Sequence, residues 1–247
     1  MMSQLGGCYR PTFVVSTGDN FYHSGLKGPA DPTFTQTFTS VYTDKSLMVP
    51  WYAVLGNHDY GELDSKQLRL CSSPTFSSCP AGCCYSPSWQ TNMSHLDWRW
   101  NAHQALMRNS TARWKVVVGH HPVRSYGEHC KGGKGGDCVD MQWLRPIMAE
   151  HQAAAYFSGH EHDLQLIKSK ATASPTDPVY YVVSGAGSDI RDHDYSNVEQ
   201  DTERETNFLA GKAGFVAVFI KDGRMTLHVW ADGTFSPAYM VDIPLPQ

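Results

Sequence analysis

The sequence predicts an α/β or α+β fold in which strands alternate with helices. Two observations carry this prediction. Five short apolar runs, each typical of a strand buried on both faces, end at or next to a glycine and a polar residue. Helical patterns separate several of these runs, and an antiparallel strand pair closes the chain. The runs are Phe13–Thr17, Trp51–Leu55, Trp114–Val118, Ala153–Phe157 and Val179–Val183.

The helical patterns each have a start signal or an apolar face. Asp31 followed by Pro32 predicts an N-cap with proline in the first turn. Asp222-Gly223 between two apolar runs predicts a hairpin turn. The predicted elements are a helix after Asp31 with Phe34, Phe38, Val41 and Tyr42 on one face, a helix over Leu96–Met107, a helix over Val139–Glu150 kinked at Pro146, and a hairpin of Phe215–Ile220 with Met225–Trp230.

Length and composition favour one domain covering residues 1–247. The formal net charge of −4 gives no reason to expect nucleic acid or an anionic membrane as a partner. No apolar run reaches the length of a membrane span. The first residues, Met1–Tyr9, lack the apolar core of a signal peptide.

Seven cysteines are many for a cytosolic enzyme. Two of them, Cys130 and Cys138, flank a glycine-rich loop that a disulfide would close. Sequons at Asn92 and Asn109 also indicate a secretory glycoprotein. Free buried thiols and unused sequons are the alternative. Because seven is odd, at least one thiol is unpaired or pairs outside the chain.

Four of the predicted strands end in a residue that commonly binds metals. Any one of these residues could simply be a turn former, but together they predict a metal site at the carboxyl edge of a sheet. Two neighbouring cations need a bridging carboxylate, which Asp19 suits, and neutral donors around it. The neutral candidates are Asn57, His120, His160 and His162.

The motifs G-D-x-x-Y, G-N-H-D, V-x-x-H and G-H-x-H follow one another in this order, and this pattern resembles the purple acid phosphatases, including the tartrate-resistant type, among the calcineurin-like metallophosphoesterases. The resemblance implies that Asp19 bridges two metals and that Tyr22 and His162 bind Fe(III). It implies that Asn57, His120 and His160 bind a divalent ion, which could be iron, zinc or manganese.

The resemblance implies an α+β fold, an α/β-type four-layer sandwich in which two mixed β-sheets pack face to face and are flanked by helices. It also implies a function. His58 and His129 would be catalytic residues that contact the phosphate. His121 is interpreted as a loop residue, with a supporting position beside the metal ligands as the alternative. A metal-bound hydroxide would attack phosphorus, so that the protein hydrolyses phosphate monoesters. The expected partners are small phosphorylated substrates, the expected state is a monomer, and the expected location is secreted, vacuolar or lysosomal.

The sequence departs from the family pattern at its start. The family opens with a strand ending in D-x-G, whose aspartate binds Fe(III), and the D-x-G in this chain, Asp59-Tyr60-Gly61, lies inside the second motif instead. We therefore expect an N-terminally truncated member that lacks the first strand and one ferric ligand. Two alternatives to a phosphomonoesterase stay open: a catalytically impaired remnant that binds one divalent metal or phosphate, and a phosphodiesterase, which Tyr22 disfavours.

Overall fold

The structure is a computed structural model. It describes residues 1–60, 107–130, 136–169, 179–187, 189–191, 195, 198 and 204–245. The chain divides into two compact units, Met1–Asn101 and Ala102–Gln247, here called the N-terminal and C-terminal units. In these described ranges no helix combines the length and apolar character needed to cross a membrane. Apart from Met107, the helix predicted over Leu96–Met107 lies outside the described residues, as does Asn92.

The N-terminal unit contains a small parallel sheet and short helices. Its elements are α1 (Met2–Tyr9), β1 (Val14–Ser16), α2 (Pro32–Phe34) continued by a π-helical turn (Thr35–Thr39), a 3-10 turn (Lys45–Leu47), β2 (Trp51–Ala53) and a 3-10 turn (His58–Tyr60). β1 pairs in parallel with β2, Val14 opposite Trp51 and Ser16 opposite Ala53. The carboxyl ends of the two strands therefore lie at the same edge. The sequence predicted one sheet edge for four strand ends, and this is wrong, because among the described residues Lys115–Val118 and Ala153–Ser158 belong to a different sheet.

The helix predicted after Asp31 is present but changes type after one turn. The Asp31 Oδ1 atom accepts a hydrogen bond from the Thr33 backbone N–H at 2.9 Å, which confirms the predicted cap. From Thr35 the turn widens, and the Ser40 N–H donates to the Thr35 carbonyl. Phe38 and Tyr42 pack on Trp51, with ring centroids 5.0 and 4.7 Å away. The predicted aromatic face thus contacts β2.

The C-terminal unit is built on two sheets. A mixed sheet has the order β3 (Lys115–Val118), β4 (Ala153–Ser158), β6 (Tyr180–Ser184), β5 (Leu164–Ser169) and β7 (Arg204–Ala210). In it, β3, β4 and β6 are parallel, whereas β5 is antiparallel to both of its neighbours. An antiparallel sheet has β9 (Arg224–Ala231) between β8 (Gly214–Lys221) and β10 (Tyr239–Ile243).

These two sheets share one hydrophobic core, which confirms the α+β class and the sheet-on-sheet packing. The mixed sheet contributes Ala155, Leu166 and Val182, all fully buried. The antiparallel sheet contributes Met225 and Leu227 to the same cluster. One detail differs from the prediction: the described residues form three sheets, of which only the five-stranded one is mixed. β8, β9 and β10 follow one another along the chain with short connections, so they pair antiparallel.

Burial on both faces was predicted for all five apolar runs, and this is wrong for the first three. The side chains of Val15, Tyr52 and Val116 are 40%, 60% and 40% exposed. β3 is an edge strand of its sheet, and the sheet of β1 and β2 has two strands among the described residues. The prediction holds for β4 and β6, which have a neighbouring strand on each side.

The predictions of a hairpin and of a kinked helix have different outcomes. Asp222 and Gly223 have φ of 50° and 74° and join β8 to β9, which confirms the predicted hairpin. The helix predicted over Val139–Glu150 is shorter, because a 3-10 turn (Gly136–Met141) precedes α3 (Leu144–Glu150). Pro146 therefore lies in the first turn of α3, where a backbone N–H has no partner within the helix, and the predicted kink is wrong.

Candidate metal centre

The turn after β1 presents the Asp19 carboxylate. Gly18 and Asp19 have φ of 102° and 53°, so the chain reverses in the left-handed region directly after the strand. Gly56, three residues after β2, lies against Asp19 so closely that a Cβ at this position would clash with the Asp19 carboxylate and backbone N. The backbone N–H of His58 donates to Asp19 Oδ1 at 2.9 Å. The G-D and G-N-H motifs thus meet at one carboxylate.

Tyr22 and His58 lie beside Asp19. The Tyr22 hydroxyl donates to Asp19 Oδ2 at 3.2 Å, and the Tyr22 ring packs on the His58 ring with centroids 4.5 Å apart. His58 Nδ1 is 2.7 Å from the His23 carbonyl oxygen, which can only accept, so Nδ1 carries the proton. The unprotonated nitrogen of a neutral His58 is then Nε2. Asn57 sits between Gly56 and His58 with an exposed side chain.

A buried carboxylate holds these two turns together. Asp59 is 2% exposed and accepts the backbone N–H groups of Gly56, Asn20 and Phe21 at 2.8 to 3.0 Å. It also accepts the Asn20 side-chain amide at 2.9 Å. Burial raises the pKa of Asp59, and these hydrogen bonds oppose that rise. Asp59 therefore fixes the backbone that presents Asp19 and Asn57.

In the C-terminal unit, three histidines converge at the carboxyl ends of β3 and β4. His160 Nδ1 is 3.3 Å from His120 Nε2, and one ring nitrogen from each of His120, His121 and His160 lies within 4.8 Å of the others. His120 is 2% exposed. His160 has a φ of 66°, which produces the predicted turn in the G-H-x-H motif. Three nitrogen donors at such spacing could hold one cation.

The protonation state of His160 suits a ligand. Burial lowers its pKa to about 4, so the ring is neutral at neutral pH. His160 Nε2 is 3.0 Å from Asp137 Oδ2, and the pKa of Asp137 is lowered, mainly by this hydrogen bond. Because the carboxylate accepts, the single proton of the neutral ring lies on Nε2. The lone pair of Nδ1 then faces His120.

His129 is held by a buried glutamate. Glu161 is fully buried, and its two carboxylate oxygens accept the His129 backbone N–H and Nδ1–H, each at 2.9 Å. Gly127 lies so close to that carboxylate that a Cβ there would clash with it. The remaining ring nitrogen, Nε2, is 3.4 Å from the Arg191 guanidinium. The His129 and His160 ring centroids are 4.4 Å apart, so the two predicted site residues lie together.

His162 and Asp163 follow Glu161 directly and lie just before β5. His162 Nδ1 is 3.3 Å from Asp189 Oδ2, and the Arg191 backbone N–H donates to the His162 carbonyl. Asp163 is fully buried and accepts hydrogen bonds from Gln165 Nε2 and the Tyr195 hydroxyl at 2.7 and 2.9 Å. Burial, with a smaller contribution from the charge of Glu161, raises the pKa of Asp163 to about 7.

Comparisons with known proteins agree with this chemistry. The family model described as calcineurin-like phosphoesterase matches residues 1–164, and therefore parts of both units. Purple acid phosphatase 4 of Arabidopsis thaliana is 30% identical over 92% of this chain and 72% of its own length. The chain belongs to the purple acid phosphatase family. Purple acid phosphatase 17 of the same plant is 34% identical over 76% of this chain, and the match spans 62% of that relative.

Solved structures share the fold at low sequence identity. A structure described as GAP50, the anchor in the inner membrane complex of Plasmodium, has a TM-score of 0.73 at 17% identity and covers all of this chain and 82% of its own. Purple acid phosphatase from yellow lupin (Lupinus luteus) seeds has a TM-score of 0.66 at 14% identity, covering 98% of this chain and 48% of its own. The lupin enzyme is a purple acid phosphatase, so its match supports the metallophosphoesterase fold.

The donors of this purple acid phosphatase family member fit the metals that the family implies. The Asp19 carboxylate and Tyr22 phenol are oxygen donors suited to a hard ion. The His120 and His160 imidazoles suit iron or zinc as the divalent partner. One ring nitrogen of His160 is already turned toward His120 with its lone pair.

Sequence reasoning missed the residues that hold the predicted ones in place. Asp59 and Glu161 belong to the G-N-H-D and G-H-E-H motifs, but the motifs did not indicate which backbone groups these two carboxylates bind. Asp137 carries no motif signal beyond standing next to Cys138. His121 was interpreted as a loop residue, yet its ring belongs to the histidine cluster.

Proposed function

We propose that this protein is an acid phosphatase that hydrolyses phosphate monoesters at a binuclear Fe(III)–M(II) centre. Family membership supports the reaction class. The observation that carries the proposal is the pair of nitrogens, His120 Nε2 and His160 Nδ1, that face each other at 3.3 Å. Small phosphorylated molecules are the proposed substrates.

The ligand assignment follows donor type. Asp19 would bridge the two ions, Tyr22 and His162 would bind Fe(III), and the remaining ligands, Asn57, His120 and His160, would bind the divalent iron, zinc or manganese ion. When bound, the ions would neutralise the phosphoryl oxygens and lower the pKa of a coordinated water. Tyr22, already 3.2 Å from Asp19, is the ligand that favours iron at one position.

His58 and His129 would act on the substrate. Each has its Nδ1 proton held by a fixed acceptor, the His23 carbonyl and the Glu161 carboxylate, so each would present Nε2. A protonated His129 could donate its Nε2 proton to the leaving alkoxide, because a buried carboxylate stabilises the imidazolium. Arg191, 3.4 Å from His129 Nε2, could bind a phosphoryl oxygen.

The test is hydrolysis of 4-nitrophenyl phosphate by the full chain loaded with iron and zinc. We expect turnover at acidic pH that falls about 100-fold or more in His129→Ala, since a general acid contributes about 10²–10⁴-fold. The matched control is His228→Gln on β9. A chain that retains both metals but hydrolyses neither the aryl phosphate nor other monoesters would contradict the proposal.

A second candidate function is binding of a single divalent ion without turnover. The observation that favours it is the cluster of His120, His121 and His160, whose three nitrogens lie within one unit. One bound ion per chain, retained in Asp19→Asn and accompanied by no hydrolysis, would select this candidate.

We also propose a secretory, vacuolar or lysosomal location. The sulfur atoms of Cys130 and Cys138 are 2.02 Å apart, as in a disulfide, which supports this proposal. Structural disulfides persist in oxidising compartments. Mass spectrometry of the protein purified under thiol-blocking conditions would detect this bond and any sugar on Asn92 or Asn109.

A further inference from the structure

The disulfide joins two residues that each follow a site residue. Cys130 comes directly after His129, and Cys138 comes directly after Asp137. Both cysteines are fully buried. The bond therefore holds the backbone on which Asp137 stands beside the backbone on which His129 stands.

Further contacts fix the same place. Gln142 Nε2 donates to the carbonyls of Cys138 and Val123, both at 2.8 Å. Gly136 has a φ of 52°, and a Cβ at this position would clash with the His129 carbonyl. The backbone before Asp137 is thus pressed against His129 where only glycine fits.

From this position Asp137 reaches His160. Asp137 Oδ2 is 3.0 Å from His160 Nε2, and on the opposite side of the ring His160 Nδ1 is 3.3 Å from His120 Nε2. A carboxylate on the far nitrogen of a metal-binding imidazole fixes the tautomer and ring orientation and increases the basicity of the ligating nitrogen. The contacts of His160 match this arrangement, with the Asp137 carboxylate on Nε2 and with Nδ1 on the side of the ring that faces His120.

We propose that Asp137 is a positioning residue for His160 as a metal ligand, and that the Cys130–Cys138 disulfide keeps Asp137 in place. The inference rests on the proposed function, in which His160 binds a metal. It adds that metal affinity depends on a carboxylate and a disulfide outside all four sequence motifs.

A plain surface contact would behave differently. The Asp137 side chain is 50% exposed, although that of His160 is only 10% exposed, and a half-exposed carboxylate contributes little to stability. Asp137→Asn should therefore leave the thermal midpoint of the metal-free protein unchanged. Metal affinity is the readout that a purely structural role would not change.

The experiment titrates the full chain with zinc alone against a chromophoric chelator. We expect Asp137→Asn and Asp137→Ala to bind the tighter zinc ion about 10–100-fold more weakly, the usual cost of losing such a partner. Asp137→Glu should recover part of the affinity. Asp140→Asn, an exposed aspartate on the same 3-10 turn, is the matched control and should match the wild type.

The disulfide is tested by the double variant Cys130→Ser, Cys138→Ser, with the exposed Cys8→Ser as control. We expect a similar loss of zinc affinity in the double variant, and little further loss when Asp137→Ala is added to it. Circular dichroism checks that the double variant folds; if it does not, the Asp137 variants alone decide.

The outcomes are distinguishable. Equal zinc affinity in Asp137→Asn, Asp137→Ala and wild type would overturn this inference and leave the proposed function standing. A wild-type chain without a tight zinc site would overturn the proposed function and this inference together.

Discussion

The two groups of predicted ligands are built in different ways. The group around Asp19 offers oxygen donors and stands on two strands of three residues each. The group around His120 offers nitrogen donors and stands on a five-stranded sheet with its own hydrophobic core. Hydrogen bonds to one buried carboxylate, Asp59, organise the first group, whereas packing of the sheet organises the second.

This difference predicts how far the effect of a substitution in each group should spread. Loss of Asp59 would release backbone turns on a small sheet with partly exposed strands, so damage there should spread through the N-terminal unit. The histidines stand on a sheet whose core does not depend on them, so damage there should stay local. The predictions below sharpen or break this comparison, starting with the largest expected effect.

Asp19→Asn should have the largest effect. It removes the charge of the proposed bridging ligand, and changes merely next to a metal ligand already cost about 10–100-fold in affinity. We expect kcat/KM for an aryl phosphate to fall by about 1000-fold or more if both ions are weakened. Asp44→Asn, an exposed helix cap, is the control. Activity within tenfold of wild type would remove Asp19 from the ligand set.

Asp163 should make the metal-free protein less stable as pH rises. Its pKa in the folded state, about 7, lies above the unfolded value of 3.8, so the folded state binds the proton more tightly. The free energy of unfolding should therefore fall between about pH 4 and pH 7, by on the order of 4 kcal/mol at about 1.4 kcal/mol per unit.

Urea unfolding at several pH values measures this effect. Asp163→Asn should flatten the fall, and Asp232→Asn, an exposed control, should retain it. Equal slopes in wild type and Asp163→Asn would show that this carboxyl does not cause the pH dependence.

Asp59→Ala should destabilise the N-terminal unit by about 3 kcal/mol, because several partly buried N–H groups would lose their acceptor. Asp59→Asn keeps one oxygen acceptor and should cost less. Urea unfolding followed by tryptophan fluorescence would measure it. The signal of Trp51 is the difference between each protein and the same protein with Trp51→Phe. An unchanged unfolding midpoint in Asp59→Ala would mean that packing, and not this carboxylate, holds the two turns.

Glu161→Gln should lower kcat by about 10- to 100-fold, less than the full general-acid contribution, since the His129 ring remains. The amide no longer stabilises a protonated His129, so the alkaline limb of the pH–rate profile, along which a general acid loses its proton, should also move to lower pH. Glu128→Gln, an exposed neighbour that pairs with Arg191, is the control. An unchanged profile would mean that Glu161 only fills space.

The sequence predicted what depends on short-range signals. The Asp31 cap, the Asp222-Gly223 hairpin and the histidines after apolar strands all follow from neighbouring residues, and the structure has them. β5 and β7 were missed because their pairing joins residues such as Leu164 and Ala210, far apart in the chain. Asp137 was missed for the same reason, since it lies 23 positions before His160. Whether the two ligand groups share one centre stays a prediction.

The number of metal ions that one chain binds tests the central claim most directly. Elemental analysis of the wild-type protein after reconstitution with iron and zinc should give two ions per chain. Asp19→Asn and His120→Ala should each retain fewer than one ion per chain, because a bridging ligand links the two positions. A wild-type value of one ion per chain, lost in His120→Ala and unchanged in Asp19→Asn, would contradict the binuclear centre.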